Sequence, residues 1–250
     1  MTVNQEIRKE QKEYMSRMTF KEKVVYLAGY YKWYVIGILA AIIFAVFIIR
    51  DVVNNSKPVY LNLIISNSDL IYDSGDSKLY DDFVEYADID TGKYQLYIDT
   101  TLNFSGTDMA TTDITSAEKI MALYAARQVD AFMAPVSVID RYKKMSAFLD
   151  PHEVLSDEQI KELEAAGYKL YYCKYSETVD EEDLDPSVPE DKDVCIGIYV
   201  AESDYLNGLS VAGAFSVRED PPVFTFSTVA EEEGLSHAVQ FLEMITGTKL

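Results

Sequence analysis

Small polar side chains follow three of the predicted strands, at the point where each strand ends. They are Ser66, Asn67 and Ser68 after the first strand, Thr100, Thr101 and Asn103 after the second, and Pro135 and Ser137 after the third. In open α/β sheets a ligand binds beyond the carboxyl ends of the strands. Hydroxyl and amide groups at that edge supply directional hydrogen bonds. The sequence therefore predicts these eight residues as candidate ligand-binding residues, with ordinary solvated loops as the alternative.

No arrangement typical of catalysis stands out, and we predict that the protein is not an enzyme. The two histidines, His152 and His237, have no sequence neighbour that would complete a catalytic triad or a metal site. The spacing of Gly208, Ser210 and Gly213 departs by one residue from the G-x-S-x-G nucleophile elbow. We therefore predict no catalytic residue, no metal site and no cofactor.

An acidic segment over residues 180–193 separates two predicted strands. Calcium takes six to eight oxygen ligands, but the spacing of these carboxylates fits no calcium loop. A solvated acidic hairpin tip is the favoured interpretation, and calcium binding is the alternative. Cys173 and Cys195 lie in the two flanking strands, and a hairpin centred on Leu184 would place them opposite each other. A disulfide in an oxidising exterior and two buried thiols are then equally compatible with the sequence.

Alternating strand and helix patterns must position these residues, and their order predicts an α/β fold with a parallel or mixed sheet. Strands are predicted over Val59–Ser66, Tyr94–Thr100, Val129–Ala134, Leu170–Tyr175, Val194–Val200 and Val223–Val229. Helices are predicted over Lys78–Ala87, Ser116–Arg127, Val136–Met145, Asp157–Ala166 and Glu232–Ile245. Ser156 is the expected N-cap of the fourth helix, and the last helix is expected to end near Gly247. Between the second strand and the second helix, residues 101–115 are expected to form a long loop.

The run Trp33–Ile49 has 17 residues without a charge and predicts a single transmembrane helix. It would reach about 25 Å, and Lys32 and Arg50 can extend to the two interfaces. Tyr30, Tyr31, Trp33 and Tyr34 are expected to form an interfacial aromatic belt. A buried core helix is the alternative, but it would have to hide apolar surface on every side.

Flanking charge predicts the orientation of this helix. Residues 1–34 carry a net charge of +3 and the remainder carries −23. Because basic flanks stay in the cytoplasm, the N-terminus is expected inside and the C-terminal part outside the cell. The segment is expected to be an uncleaved signal-anchor in the cell membrane. A cleaved signal peptide would have an unusually long charged region, and no small-x-small cleavage site follows Ile49.

These patterns divide the chain into four parts. Residues 1–32 are expected to form a cytoplasmic amphipathic helix, 33–50 the transmembrane helix, 51–57 a stalk and 58–250 an extracellular α/β domain. Thr19 and Glu22 form a capping-box pattern at the start of the first helical segment. Small residues recur at every fourth position in the transmembrane run, at Gly37, Ala41 and Ala45. One hypothesis is that this face packs against a second membrane helix, and the alternative is the ordinary frequency of Ala and Gly in membrane spans.

The composition excludes one class of partner. The chain has 250 residues with 22 Lys or Arg and 42 Asp or Glu, which gives a net charge of −20. Nucleic-acid binding needs a basic surface against phosphate, so a nucleic acid is not expected as a partner. Hydrophobic residues make up 48% of the chain, which is too many for wholesale disorder.

The run Ser116–Phe132 contains a predicted helix that ends in Ala125-Ala126-Arg127 and is followed by Asp130. It is similar to the helix ending in A-A-G-x-x-D of the type 2 periplasmic solute-binding-protein family, although Arg127 stands in place of the glycine. Phe148, Leu149 and Asp150 resemble the x-F-L-D that follows, and Ala238–Gly247 resembles A-x-x-F-L-x-x-x-T-G. The lipobox cysteine of that family is absent. The front segments Thr19–Lys23 and Tyr30–Tyr34 resemble uncharacterised membrane-anchored proteins of Gram-positive bacteria.

The resemblance implies a solute-binding-like fold outside the membrane. The expected function is therefore that of a single-pass membrane-anchored extracellular binding or interaction module for a peptide or small solute. The alternative is a non-enzymatic structural or assembly subunit of a membrane complex that keeps a degenerate binding fold. Expected partners are the lipid bilayer and either another membrane protein or a small solute or peptide.

Overall fold

The computed structural model describes residues 9, 12–55, 57–70, 75–105, 111–209, 214–215 and 219–250. The chain divides into two compact units, Met1–Lys57 and Pro58–Leu250. Several features of the sequence lie outside the described residues: most of residues 1–11, Ser56, residues 106–110 of the expected loop, and Ser210 and Gly213.

The first unit is dominated by one helix, α1, which spans Phe20–Asn55. Its start is set by Thr19, whose backbone N and Oγ1 both donate hydrogen bonds to the Glu22 carboxylate at 2.8 Å. This is the return half of a capping box, as the sequence predicts. The helix continues through the expected stalk as far as Asn55, because no glycine or proline stands there to end it before Pro58. The expected boundaries at residues 32 and 50 are therefore not structural breaks.

Within α1, the segment Lys32–Arg50 is long and apolar enough to cross a membrane, and none of its described side chains is buried. Nineteen residues extend about 28 Å along the helix axis. The described aromatic side chains at its start, Trp33 and Tyr34, are exposed, while the side chains of Tyr30 and Tyr31 lie outside the described set. In the part of the chain that the structure describes, this helix near the N-terminus is thus the one candidate for a membrane span.

The described residues of the second unit form a mixed sheet of seven strands. They are β1 Val59–Ile65, β2 Gln95–Asp99, β3 Ala131–Pro135, β4 Phe148–Leu149, β5 Lys169–Lys174, β6 Asp193–Tyr199 and β7 Pro222–Ser227. The order is β2-β1-β3-β7-β6-β5, with β4 also paired to β7. Strands β1, β2 and β3 are parallel, and the remaining pairs are antiparallel. The predicted α/β class with a mixed sheet is confirmed.

Seven helices of this unit are described beside the sheet. They are α2 Gly75–Tyr86, α3 Thr111–Ala125, α4 Val136–Tyr142, α5 Pro151–Val154, α6 Asp157–Ala165, α7 Asp204–Gly208 and α8 Glu232–Thr246. Ser156 is the N-cap of α6, as expected, and forms a capping box with Gln159. Gly247 ends α8 in the left-handed conformation. Helix α3 begins five residues before the predicted start at Ser116. Asp113 lies in its first turn, where a negative charge interacts favourably with the helix dipole.

Two hydrophobic clusters lie on opposite faces of the sheet, since neighbouring strand residues alternate between them. Leu63 and Met133 belong to the first cluster with Phe83 of α2 and Phe241 of α8. Ile64 and Phe132 belong to the second cluster, together with residues of α3 and α4. Helices therefore cover both faces and leave the carboxyl edge of β1, β2 and β3 as the place where their loops meet.

Candidate functional site

The carboxyl ends of β1 and β2 meet through Asn67. Its backbone N donates to the oxygen of Leu102 at 2.9 Å, and its side chain pairs with Phe104 in both directions. Nδ2 donates to the Phe104 oxygen at 2.9 Å, and Oδ1 accepts from the Phe104 N at 2.6 Å. Asn67 adopts a left-handed φ of 54°, which asparagine tolerates better than most residues. The amide of this predicted ligand-binding residue is thus used to hold the following loop.

Three other predicted residues at this edge are buried. Ser66 is fully buried; its N donates to the Met133 oxygen at 2.9 Å, and its Oγ lies 3.3 Å from Asn67 Oδ1. Thr100 and Ser68 are 3% and 2% exposed. Among the described residues, the Ser68 hydroxyl has no hydrogen-bond partner. The structure brings these residues together, but it places them beneath the surface.

The remaining predicted residues separate into two places. Thr101 donates from its N and Oγ1 to Asp99 Oδ1, and the oxygen of Asn103 accepts from Ser116. Pro135 precedes α4, and Ser137 donates from both its N and its Oγ to the Asp220 carboxylate. Most polar groups of the predicted set therefore bond within the fold.

Between α3 and α4 lies a groove of about 440 Å³ that the sequence did not reveal. It is lined by Asp113, Ile114, Ala117, Glu118, Met121 and Arg141. Ile114 and Met121 are each 49% exposed and form an apolar wall. The spacing of these two residues and Ala117 gives α3 a second apolar side, apart from Ile120 and Tyr124 in the core, which was the signal available in the sequence.

A buried carboxylate connects the groove to the carboxyl edge of the sheet. Asp113 is 2% exposed, and its Oδ1 accepts from the N and Oγ of Ser105 at 2.7 and 2.9 Å. Its Oδ2 lies 3.8 Å from a guanidinium nitrogen of Arg141. The guanidinium carbon Cζ of Arg141 lies 5.2 Å from the ring centre of Phe104. The Asn67–Phe104 pair and the Asp113–Ser105 bonds together hold the segment that follows β2 against β1 and α3.

The acidic segment forms an exposed tip, as predicted. It contains a short 3₁₀ turn, Glu181–Asp183, and the Asp185 carboxylate accepts hydrogen bonds from Ser187. These bonds lower the pKa of Asp185. Strands β5 and β6 on either side of the tip form the expected antiparallel hairpin.

The disulfide alternative is wrong: Cys173 and Cys195 are both free and buried. The expected register holds from Lys169 to Tyr171, but a bulge after Tyr171 shifts it by one residue. Cys195 then pairs with Tyr172, and Cys173 pairs with Val194. Because paired residues share a face and successive residues alternate, the two thiols lie on opposite faces of the sheet. Burial raises the pKa of Cys173 to about 11 and that of Cys195 to about 12.

The small residues of α1 keep the spacing that the packing hypothesis requires. Gly37, Ala41 and Ala45 are four residues apart in one continuous helix and are exposed. Among the described residues, a Cβ added at Gly37 would meet no atom within 4 Å. The face can therefore accept another helix sterically, and its pairing stays a prediction.

Charge differs sharply between the two units. Residues 1–57 hold nine Lys or Arg and five Asp or Glu, and residues 58–250 hold 13 and 37. The groove is one place in the acidic unit where a guanidinium group borders apolar surface. No protein-family model, curated protein or solved structure matches the chain. What the groove can bind therefore follows from its own geometry.

Proposed function

We propose that the protein is a single-pass membrane-anchored binding module, without enzymatic activity, whose α/β unit recognises a peptide or small solute outside the cell. The observation that carries the proposal is the groove between α3 and α4. Its volume of about 440 Å³ is within the range of small-ligand sites, and its walls combine apolar and charged groups. An anchored unit with such a groove between α3 and α4 is suited to capture a ligand outside the cell.

The composition of the groove supports a peptide-like ligand. Ile114 and Met121 offer apolar contact for one side chain, and methionine adapts to ligands of varied shape. Glu118 and Arg141 border the same space with opposite charges. Opposite charges beside an apolar wall suit a ligand that carries both an apolar group and polar amide or zwitterionic groups.

The anchoring and orientation are part of the proposal. The segment Lys32–Arg50 supports a membrane span, and the basic residues before it support a cytoplasmic N-terminus. A net charge of −24 on residues 58–250 agrees with placement outside, away from the anionic inner leaflet. The likeness of short segments to solute-binding proteins agrees with a binding role, and Arg127 in place of their glycine is a departure.

One observation favours the assembly-subunit alternative. Asn67, Thr101 and Ser137, which were expected to contact a ligand, bond to other residues of the same unit. A solute-binding fold that has lost its ligand would keep such contacts as structural links. In that case the partner would be a membrane protein, and small molecules would not bind in the groove.

Ligand-dependent thermal stability of the full chain in detergent separates the two functions. Amino acids, short peptides and sugars are screened with the wild type and with Met121→Glu, which places a charge in the groove. Met145→Glu is the matched control, because Met145 is also about half exposed, at 43%, and does not line the groove. A ligand at 100 times its Kd stabilises by about 2.7 kcal/mol.

We expect at least one compound to raise the Tm of the wild type and of Met145→Glu, but not that of Met121→Glu. An equal response of all three chains would place binding elsewhere. No response across the panel would contradict the solute-binding proposal and favour the assembly role. Orientation is tested separately by adding protease to protoplasts, where residues 58–250 should be digested without permeabilisation.

A further inference from the structure

Among the described residues, one group combines three different types of metal-ligating side chain. A carboxylate oxygen of Asp150, an imidazole nitrogen of His152 and Sγ of Cys195 all lie within 4.8 Å of one another. The group is separate from the groove, since none of its members lines it. Cys195 lies more than forty residues beyond His152 in the sequence, so only the fold creates this cluster.

The local structure holds two of these groups in a fixed relation. Asp150 is the N-cap of α5, and its Oδ1 accepts a hydrogen bond from the backbone N of His152 at 2.9 Å. The same oxygen lies 2.7 Å from His152 Nδ1. Among the described residues, both hydrogen bonds to this carboxylate use Oδ1, which leaves Oδ2 available to a cation. Helix α5 packs against β6 and so brings the pair to Cys195.

The accessibility of the cluster suits an ion that enters from solvent. The side chains of His152 and Asp150 are 40% and 31% exposed, whereas Cys195 is 1% exposed and forms the floor of the cluster. The thiol Sγ lies 3.6 Å from the backbone oxygen of Gly197. Tyr172, the cross-strand partner of Cys195, lies near the carboxylates of Asp150 and Glu164, whereas Asp193 is paired with Lys174 Nζ at 2.7 Å. These carboxylates make the surroundings favourable for a cation.

We propose that Asp150, His152 and Cys195 bind one divalent transition-metal ion of the Zn²⁺ class. The donor set selects this class, because thiolate and imidazole ligands suit Zn²⁺ and Co²⁺, whereas Ca²⁺ and Mg²⁺ require mainly oxygen. Tetrahedral zinc sites have four ligands, so three protein ligands leave one position for water.

Binding involves a proton exchange and no change of oxidation state. A cysteine side chain without a bound metal is ordinarily a thiol at neutral pH. The metal–sulfur bond replaces the S–H bond, and the displaced proton passes to solvent. One proton is therefore released from Cys195 for each ion bound, and affinity rises with pH. A buried thiol of this kind is a poor nucleophile, which argues against interpreting the same three residues as a cysteine-hydrolase triad.

Cobalt spectroscopy on the full chain tests the site. The protein is prepared without an affinity tag, treated with chelator in detergent and titrated with CoCl₂. We expect one Co²⁺ per chain with a near-ultraviolet sulfur-to-cobalt charge-transfer band that ZnCl₂ removes. The chain has only two cysteines, so this band can come only from Cys173 or Cys195.

Matched variants assign the ligands. Cys195→Ala should abolish the band and Cys173→Ala should keep it, because Cys173 is buried on the other face of the same hairpin. His152→Ala should weaken Co²⁺ affinity by at least about tenfold. The exposure of His152 makes this variant safe for the fold, and Glu153→Ala, an exposed change one residue further on, should leave the affinity unchanged.

Three results would overturn the proposal. They are a wild type without the charge-transfer band at millimolar Co²⁺, a band that survives in Cys195→Ala, and an His152→Ala variant that binds as tightly as the wild type. Circular dichroism of each variant establishes that it is folded. Met121→Glu should bind Co²⁺ normally, so this test is independent of the groove.

Discussion

Asn67 and Phe104 are joined by two hydrogen bonds in which one side-chain amide serves both backbone groups of the other residue. The distances are 2.9 Å for Nδ2 to the Phe104 oxygen and 2.6 Å for the Phe104 N to Oδ1. This is the pairing that a neighbouring strand would supply. It continues the contact between β1 and the chain after β2 beyond the ends of both strands.

Loss of this pair should destabilise the second unit. Asn67→Gly removes both bonds but tolerates the φ of 54°, and we expect it to lower the free energy of unfolding by about 1–3 kcal/mol. Asn67→Ala should lose about 1 kcal/mol more, since alanine is strained at positive φ. Asn103→Ala, which removes one long 3.4 Å bond, is the control and should change stability by less than about 0.5 kcal/mol. Urea unfolding of residues 57–250 measures the stability of all three variants. If Asn67→Gly unfolds at the same urea midpoint as the wild type, the Asn67–Phe104 hydrogen bonds do not stabilise the unit.

Charges placed at the middle of the candidate span should prevent stable insertion. Each arginine near the centre of a membrane helix costs about 3 kcal/mol, while one near an end extends to the interface. We expect the Ile38→Arg, Ile43→Arg double variant to appear in the supernatant after alkaline carbonate extraction of membranes. The Trp33→Arg, Ile49→Arg double variant should remain in the membrane pellet with the wild type. Equal extraction of the two double variants would contradict a membrane span.

Two carboxylates should give opposite pH dependence of stability. Burial raises the pKa of Asp130 above its ordinary value of 3.8, and this effect exceeds that of the 2.7 Å hydrogen bond from Asn62 N. The folded state therefore binds the proton more tightly than the unfolded state does. The stabilisation is complete below pH 3.8 and is lost as the pH rises through the folded-state pKa. We expect the wild type to lose stability relative to Asp130→Asn as the pH rises from 3.8 through the folded-state pKa of Asp130.

Asp99 provides the contrasting case. Burial also raises its pKa, but the hydrogen bonds from Lys119 and Thr101 outweigh burial and hold the pKa below 3.8. Its stabilisation is present above pH 3.8 and is lost as the pH falls through the folded-state pKa. The advantage of the wild type over Asp99→Asn should therefore grow as the pH rises. Urea midpoints of the wild type and both variants are measured between pH 3 and 7. If the stability difference from the wild type changes with pH in the same direction for Asp130→Asn and Asp99→Asn, the opposite pKa directions are wrong.

Glycine at position 197 should be required for packing of β6 on β7. A Cβ there would lie 2.5 Å from Val223 Cγ1 and 2.8 Å from the backbone oxygen of Phe224. We expect Gly197→Ala to lower the free energy of unfolding by about 1–3 kcal/mol, because a backbone atom cannot move aside. Gly208→Ala is the control, since among the described residues no atom lies within 4 Å of its added Cβ. Thermal unfolding compares the two, and equal Tm values would contradict the close approach.

Much of the fold was predictable because its signals are local. The capping pair Ser156 and Gln159 sets the start of α6 through contacts within four residues. Gly247 ends α8 by the same kind of short-range geometry. The missed elements β4, α5 and α7 have only two to five residues, too few to show a hydrophobic period.

The candidate site was less predictable because polar residues at strand ends can bind a ligand or another part of the fold. The sequence pattern places Asn67 at the correct edge, but Phe104, which uses its amide, is 37 residues away in the chain. The pattern also missed Arg141 and Met121, which meet only because α3 and α4 pack on the same face of the sheet.

By itself, the sequence determined the apolar helix, the acidic character of residues 58–250, and the strands and longer helices of an α/β unit, since each depends on composition or short-range periodicity. The tertiary structure decided the strand order and the register of β5 against β6. A one-residue bulge there turns Cys195 away from Cys173 and toward Asp150 and His152. Register depends on packing between distant segments, and a shift of one residue reverses the face of every side chain that follows.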